Sequence, residues 1–341
     1  MFRYFYTIIK SNNPRFFYHK ALLLITVVLI VYYLYKFSEP PKKKVEGFTQ
    51  ESPFVLKTDL AVYDDFYAEV YDGITDRSKT CQRELYEIIK MTEPDTTNST
   101  LLDIGSGTGC AVAELTDAGY NAYGLDKSEA MIDISQAKYP DLTFIKGDMV
   151  DAMAFEKGLF SHILCTNFTI YEFPDKKVFF HNSYHWLKPN GYLIVHLVDK
   201  EKFSARTFKD SIMDLTGLWR SMQPVSKERK TSTSAEFMDY LYDATYVISS
   251  RNGARESGVS RTYGAERSSG PYKEDIVIFK ETFTDKETKH IRQNENTMKM
   301  ESIDDILRMA SNTGFIIHAK MSMKTCGGDE NQYLYVFERS M

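Results

Sequence analysis

The chain is short of cysteine. Its four, Cys81, Cys110, Cys165 and Cys326, stand far apart with no C-x-x-C spacing, which argues against a disulfide framework and a thiolate zinc site. Two fall in predicted core elements, as free thiols do in a reducing compartment. Histidine is scarce as well. Of seven, only His181 and His185 stand one helical turn apart, and they lack the glutamate that follows the first histidine of an H-E-x-x-H zinc motif. Two partly exposed helix residues is the simpler reading, and no metal is expected. A basic surplus is missing too. Lysine and arginine number 42 against 47 aspartates and glutamates, a formal net charge of −5, which argues against nucleic acid as the main partner.

One long uncharged apolar run is present, Ala21 to Tyr35. Aromatic residues flank it (Phe16, Phe17 and Tyr18 before, Phe37 after), and with these margins it reaches the roughly 20 residues a bilayer span needs. No small-residue cleavage site follows, which argues against a signal peptide. Its position ahead of the fold argues against a buried core helix. The segment therefore reads as a single transmembrane helix over 21–37, after a short tail, 1–20. Basic residues lie on both sides (Arg3, Lys10, Arg15 and Lys20; Lys36, Lys42, Lys43 and Lys44), so their count does not orient it. Residues 38–60 read as a linker, Pro- and Lys-containing. Its Lys42–Lys44 cluster either touches anionic headgroups or is a stop-transfer flank. The remainder, 61–341, is long enough for one large domain.

Residues 101–109, Leu-Leu-Asp-Ile-Gly-Ser-Gly-Thr-Gly, are the most informative stretch. Leu101, Leu102 and Ile104 predict a short buried strand. Gly105, Gly107 and Gly109 let the backbone bend and approach a ligand closely, and a helix over Cys110–Ala118 would aim its positive end at that ligand. The dinucleotide fingerprint needs G-x-G-x-x-G, whereas the spacing here is G-x-G-x-G with Asp103 ahead of it. This form resembles motif I of the class I S-adenosylmethionine-dependent methyltransferases.

Further segments extend the resemblance in order and spacing. Strand Asn121–Leu125 ends in Asp126-Lys127-Ser128, where a carboxylate can accept both ribose hydroxyls or cap the helix Ser128–Lys138. Strand Thr143–Lys146 leads to Gly147-Asp148-Met149, the adenine-binding position of the family; a solvated turn is the alternative for Asp148. Strand Phe160–Cys165 leads to Thr166–Glu172, then come a helix, Asp175–Leu187, the turn Lys188-Pro189-Asn190-Gly191 and strand Tyr192–Leu197. The resemblance implies a Rossmann-like seven-stranded mostly parallel sheet with an antiparallel last strand and helices on both faces, here preceded by a transmembrane helix. It implies S-adenosylmethionine as cofactor, with Asp103, Gly105, Ser106, Gly107, Gly109, Asp126, Lys127, Asp148, Met149 and Asn167 as binding residues.

Tyr63, Tyr67 and Tyr71 recur at helical spacing and either cover the cofactor or pack on the sheet. Asp199, after the fifth strand, and Tyr171, after the fourth, are the candidate catalytic residues. His196 reads more simply as a core histidine. Residues 200–275 read as an insertion with a Ser-, Gly- and Arg-rich loop over 249–271; the resemblance implies a substrate lid there, and a plain disordered surface loop is the alternative. Ile276–Thr284 predicts a strand buried on both faces, then a helix, Asp304–Thr313, ended by Gly314, and a closing hairpin from Phe315–Ala319 and Gln332–Phe337. The expected function is methyl transfer to a small-molecule or lipid-like acceptor by a membrane-anchored enzyme with its catalytic domain in the cytosol. A catalytically inactive, tethered cofactor-binding scaffold is the alternative.

Overall fold

The computed structural model describes residues 17–38, 50, 52–75, 77–202, 232–248, 275–326 and 329–340. The 249–271 loop, most of the linker and most of the N-terminal tail lie outside the described residues. The chain divides into two units, Met1–Gly47 and Phe48–Met341.

In the first unit, helix α1 covers Phe17–Ser38. Among its described side chains, Leu22, Leu24, Ile25, Val27 to Val31 and Tyr32 are each at least half exposed. Among the described residues no helix is long and apolar enough to cross a membrane. The transmembrane span expected over 21–37 is therefore not shown; a helix with exposed apolar side chains is.

The second unit is built on a seven-stranded sheet. Its strands, in sequence, are β2 (Thr100–Ile104), β3 (Asn121–Asp126), β4 (Thr143–Lys146), β5 (Phe160–Cys165), β6 (Leu187–Val198), β11 (Phe315–Ser322) and β12 (Gln332–Arg339). Their spatial order is β11-β12-β6-β5-β2-β3-β4. The five from β6 to β4 run parallel, and β12 lies antiparallel between β6 and β11. Parallel strands are covered on both faces, which is why they read as apolar runs. Neighbouring residues point to opposite sides. Leu101, Leu164 and Ile194 meet helices α3 (Arg77–Thr92), α4 (Cys110–Asp117) and α5 (Glu129–Lys138) through Ile88, Val112 and Ile132. Leu102, Ile163 and Val195 meet α6 (Lys176–Trp186) and α7 (Ile303–Thr313) through Phe180, Trp186 and Ile306. Ser128 caps α5, its side chain accepting from the Met131 N–H, and Gly314 ends α7 at φ +107°, as predicted. Strand β6 starts earlier than predicted, taking in the Lys188–Gly191 turn.

The sequence reading missed a second, five-stranded sheet, of order β1-β10-β9-β8-β7. Its members are β1 (Phe54–Thr58), β7 (Ser232–Glu236), β8 (Tyr240–Ile248), β9 (Ile276–Asp285) and β10 (Ile291–Lys299). Two corrections follow. Strand β1 lies within the stretch read as linker and pairs parallel with Ile291–Glu295. Strand β9 is not buried on both faces; its burial alternates. Strand β10 also alternates, with Arg292, Asn294, Asn296 and Met298 inward.

Two polar anchors fix this sheet. The Arg292 guanidinium bonds both the Asp64 carboxylate and the Val62 carbonyl, just ahead of helix α2 (Asp65–Thr75). The ammonium of the buried Lys176 donates to the Phe173 and Lys299 carbonyls and pairs with Glu301 at 2.8 Å.

Candidate functional site

The parallel strands β2, β3 and β5 end at Ile104, Asp126 and Cys165, along one edge of the sheet. In an open sheet of this kind that edge is the ligand crevice. A cavity of about 1390 Å³ opens there, lined by the loops after these strands, by Tyr63, Tyr67 and Tyr71, and by the inward face of the second sheet. This exceeds the roughly 300–1,000 Å³ of a single small-ligand pocket. It has room for two molecules.

At one end lies the glycine loop. The Gly105 and Ser106 N–H groups donate to the Leu125 carbonyl, locking the loop against β3. Gly109 adopts φ +89°, and a Cβ there would lie 2.6 Å from the Phe144 ring, so only glycine fits. Gly107 differs. At φ +52°, its nearest side-chain neighbour to an added Cβ is Tyr71 at 3.8 Å, so the space there belongs to the cavity and not to packing. Asp103, Gly105, Ser106 and Gly107 also line a small side cleft of about 20 Å³ with Tyr71 and Asn167.

Asp126 binds the loop to strand β3. Its carboxylate accepts the Gly107 N–H at 2.8 Å and the Ser128 N–H at 2.9 Å. Burial pushes its pKa up against these bonds. Asp126 also lines the cavity. Lys127 pairs with Asp148 at 2.6 Å; although partial burial works the other way, Lys127 and the Val150 N–H hold the Asp148 carboxyl below the usual range. Met149 is buried beneath, its carbonyl accepting from Asn182. Asn167, in the left-handed region at φ +53°, donates to the Tyr71 hydroxyl at 2.8 Å. The three tyrosines line the cavity and pack edge-on against one another, Tyr63 to Tyr67 at 5.6 Å and Tyr67 to Tyr71 at 5.9 Å, with Tyr63 just ahead of helix α2.

Of the two residues expected to be catalytic, Tyr171 lines the cavity and Asp199 does not. Tyr171 is fully buried and its hydroxyl accepts the Val198 N–H at 2.8 Å; burial raises its pKa, as suits a structural pin. Asp199 is not a lining residue of the cavity; its carboxylate is held by the Glu201 N–H and the Lys202 ammonium. His196 does line the cavity and packs against Phe168 at 4.9 Å between centroids.

In their place stand acids the sequence reading did not single out. Glu172, one residue past Tyr171, accepts the Tyr63 hydroxyl at 2.5 Å and the Asn296 amide at 3.0 Å. Burial pushes its carboxyl from 4.5 up to about 7, with both hydrogen bonds pulling the other way. Glu281, on β9, is buried and accepts the Tyr242 hydroxyl at 2.7 Å; burial raises its pKa as well. Among the described residues no cluster of His, Cys, Asp or Glu could hold a metal ion.

Residues 102–195 match a family model described as a methyltransferase domain. The chain is 28% identical over 164 residues to the putative methyltransferase YqeM of Bacillus subtilis (strain 168), covering 46% of this chain and 65% of that relative. The match thus spans slightly under two thirds of the relative's length. Among solved structures, the CcbJ methyltransferase of Streptomyces caelestis superposes with a TM-score of 0.58 at 13% identity, over 83% of this chain and 100% of that one. A SAM-bound structure of CalS10, an amino pentose methyltransferase from Micromonospora echinaspora, gives a TM-score of 0.51 at 14% identity over 82% and 98%. The fold is that of the class I S-adenosylmethionine-dependent methyltransferases, and residues 102–195 are the part that matches the methyltransferase model.

Proposed function

We propose that the protein transfers a methyl group from S-adenosylmethionine to a small-molecule or membrane-proximal acceptor. The observation that carries this reading is the grouping of the glycine loop, Asp126, Asp148 and Met149 at one end of a cavity large enough for a second molecule. The residues present suit the cofactor. Gly107 leaves open space where any other residue would project a side chain. The loop and Asp103 would hold the methionine end, Asp126 the ribose hydroxyls, and Asp148 with Met149 the adenine. Helix α4 would point its positive end at the bound group. S-adenosylmethionine supplies, when bound, a methyl group already activated on its sulfonium sulfur. The protein's remaining work is to exclude water and align the acceptor. The aromatic lining and the roof of strands β8–β10 suit that task.

Titration calorimetry with S-adenosylhomocysteine tests the assignment. One-to-one binding is expected, and the absence of binding overturns it.

We further infer that helix α1 docks in a bilayer, with the catalytic unit on the cytosolic side. The exposed apolar side chains from Leu22 to Tyr32 support this, since apolar area left in water favours a lipid surface. After expression in cells, the full chain is expected to resist alkaline carbonate extraction from membranes. Release into the supernatant would refute the inference.

A further inference from the structure

We propose that the methyl acceptor is an amine, bound as its ammonium ion against the Glu172 carboxylate between Tyr63 and Asn296. This deepens the methyltransferase reading and rests on it.

Glu172 lies on the turn Thr169–Glu172 that follows β5, on the cavity rim between the glycine loop and the roof. Both of its hydrogen bonds, from Tyr63 and Asn296, end on Oε1. Oε2 is therefore left to the cavity. Tyr63 and Asn296 are themselves bonded at 2.9 Å, so the carboxylate is held in one orientation.

Glu172 lacks a counter-charge: among the described residues it forms no ion pair. Three other acids of the cavity are ion-paired, Asp148 with Lys127, Asp275 with Lys200 and Glu301 with Lys176, and Asp126, at the glycine loop, is held by the Gly107 and Ser128 N–H groups. Glu281 has the positive charge of Arg292 near it. A carboxylate largely removed from water without a counter-charge is costly unless a ligand brings one. An ammonium does so with a strong charge-assisted hydrogen bond. Phe168, Tyr246 and Phe279 line the same space, and aromatic faces also attract a cation. A carboxylate acceptor would be repelled. An alcohol would gain a hydrogen bond but no charge pairing.

The same group serves the reaction. Glu172 takes one proton from the ammonium, which frees the nitrogen lone pair. That nitrogen forms its bond to the methyl carbon as the carbon–sulfur bond breaks, and the sulfur keeps the electron pair of that bond, becoming a thioether. The product leaves as a methylated ammonium, and Glu172 returns its proton to solvent. A carboxyl poised near neutrality can both hold and release that proton.

The test uses the full chain saturated with S-adenosylhomocysteine, with benzylamine, benzyl alcohol and benzoate as probes. At about pH 8 benzylamine is expected to bind at least about tenfold more tightly than benzyl alcohol, with benzoate the weakest. The titratable and hydrogen-bonding groups around Glu172 are Tyr63, Asn296, Asp59 and Asp126. Burial brings the Glu172 carboxyl to about 7, so the preference is expected to shrink at about pH 6, where Glu172 is largely protonated. Glu172→Gln keeps an oxygen acceptor for Tyr63 and Asn296 and should abolish the preference while binding S-adenosylhomocysteine as the wild type does. Equal binding of amine and alcohol by the wild type overturns the proposal. So does a large loss of S-adenosylhomocysteine affinity in Glu172→Gln, which would assign the carboxylate to the donor's own ammonium. Wild-type protein that fails to bind S-adenosylhomocysteine overturns the methyltransferase reading and this inference with it.

Discussion

Gly107→Asp is expected to weaken S-adenosylhomocysteine binding by at least about 100-fold, a cost of about 2.8 kcal/mol, with little change in folding. Gly107 has a positive φ, +52°, but an added Cβ would meet nothing closer than Tyr71 at 3.8 Å. Aspartate tolerates that backbone region better than most residues, at roughly 1–2 kcal/mol. Its carboxylate would enter the space assigned to the ligand and face Asp126, whose Oδ2 already accepts the Gly107 N–H. Gly109→Ala is the contrasting control. There the new methyl group would lie 2.6 Å from the Phe144 ring, so the fold itself would have to shift. Calorimetric titration beside thermal melts separates the two. Undiminished binding by folded Gly107→Asp protein would remove the glycine loop from the site.

Lys176→Met is expected to destabilise the protein by about 3–5 kcal/mol, the cost of breaking a buried ion pair from one side. Methionine preserves the aliphatic volume of the fully buried stem. It removes the partner of Glu301 and the donor to the Phe173 and Lys299 carbonyls. Lys299 also lies 3.4 Å from Glu301, which places the effect toward the lower end. The second substitution Glu301→Met, made on the first, should recover a large part of the loss, because it removes the uncompensated charge. Denaturant unfolding measures both. A loss below about 1 kcal/mol would show the pair to be dispensable.

The large sheet was readable because its physics favours plain signals. Strands covered on both faces are apolar runs, as in Leu101–Ile104 and Ile163–Cys165. The glycines of 105–109 mark the turn, and Asp126 stands at the tip of the next strand. The second sheet gave no such signal. In β10 the inward positions include Arg292, Asn294 and Asn296, so alternation of apolar and polar residues, the usual mark of a strand, is missing. Those positions are polar because Arg292 anchors the sheet to Asp64 and Asn296 serves the cavity. Strand β1 hid for another reason. Its Phe54 and Leu56 are about half exposed, at 51% and 48%, so its sequence looks like the start of a connection.

The surroundings of Tyr171 and Asp199 are set by small geometric steps. Past β5 the backbone turns through two left-handed residues, Asn167 and Phe168 at φ +53° and +68°. Tyr171 and Glu172 both line the cavity there, the Tyr171 hydroxyl held by the Val198 N–H and the Glu172 carboxylate by Tyr63 and Asn296. Strand alternation cannot anticipate such a turn. An acid immediately after an aromatic run at the end of a parallel strand was the available clue.

The pairing of Phe54–Thr58 with Ile291–Glu295 joins segments more than two hundred residues apart in sequence. Closing so long a loop carries an entropic penalty that only the completed fold offsets, and non-local pairings of this kind slow folding. A chain emerging from the ribosome holds Phe54–Thr58 without its neighbour until Ile291–Glu295 has been made. The roof over the glycine turn is thus completed late, and a product truncated ahead of residue 291 would carry β8 and β9 without the strand that joins them to Phe54–Thr58.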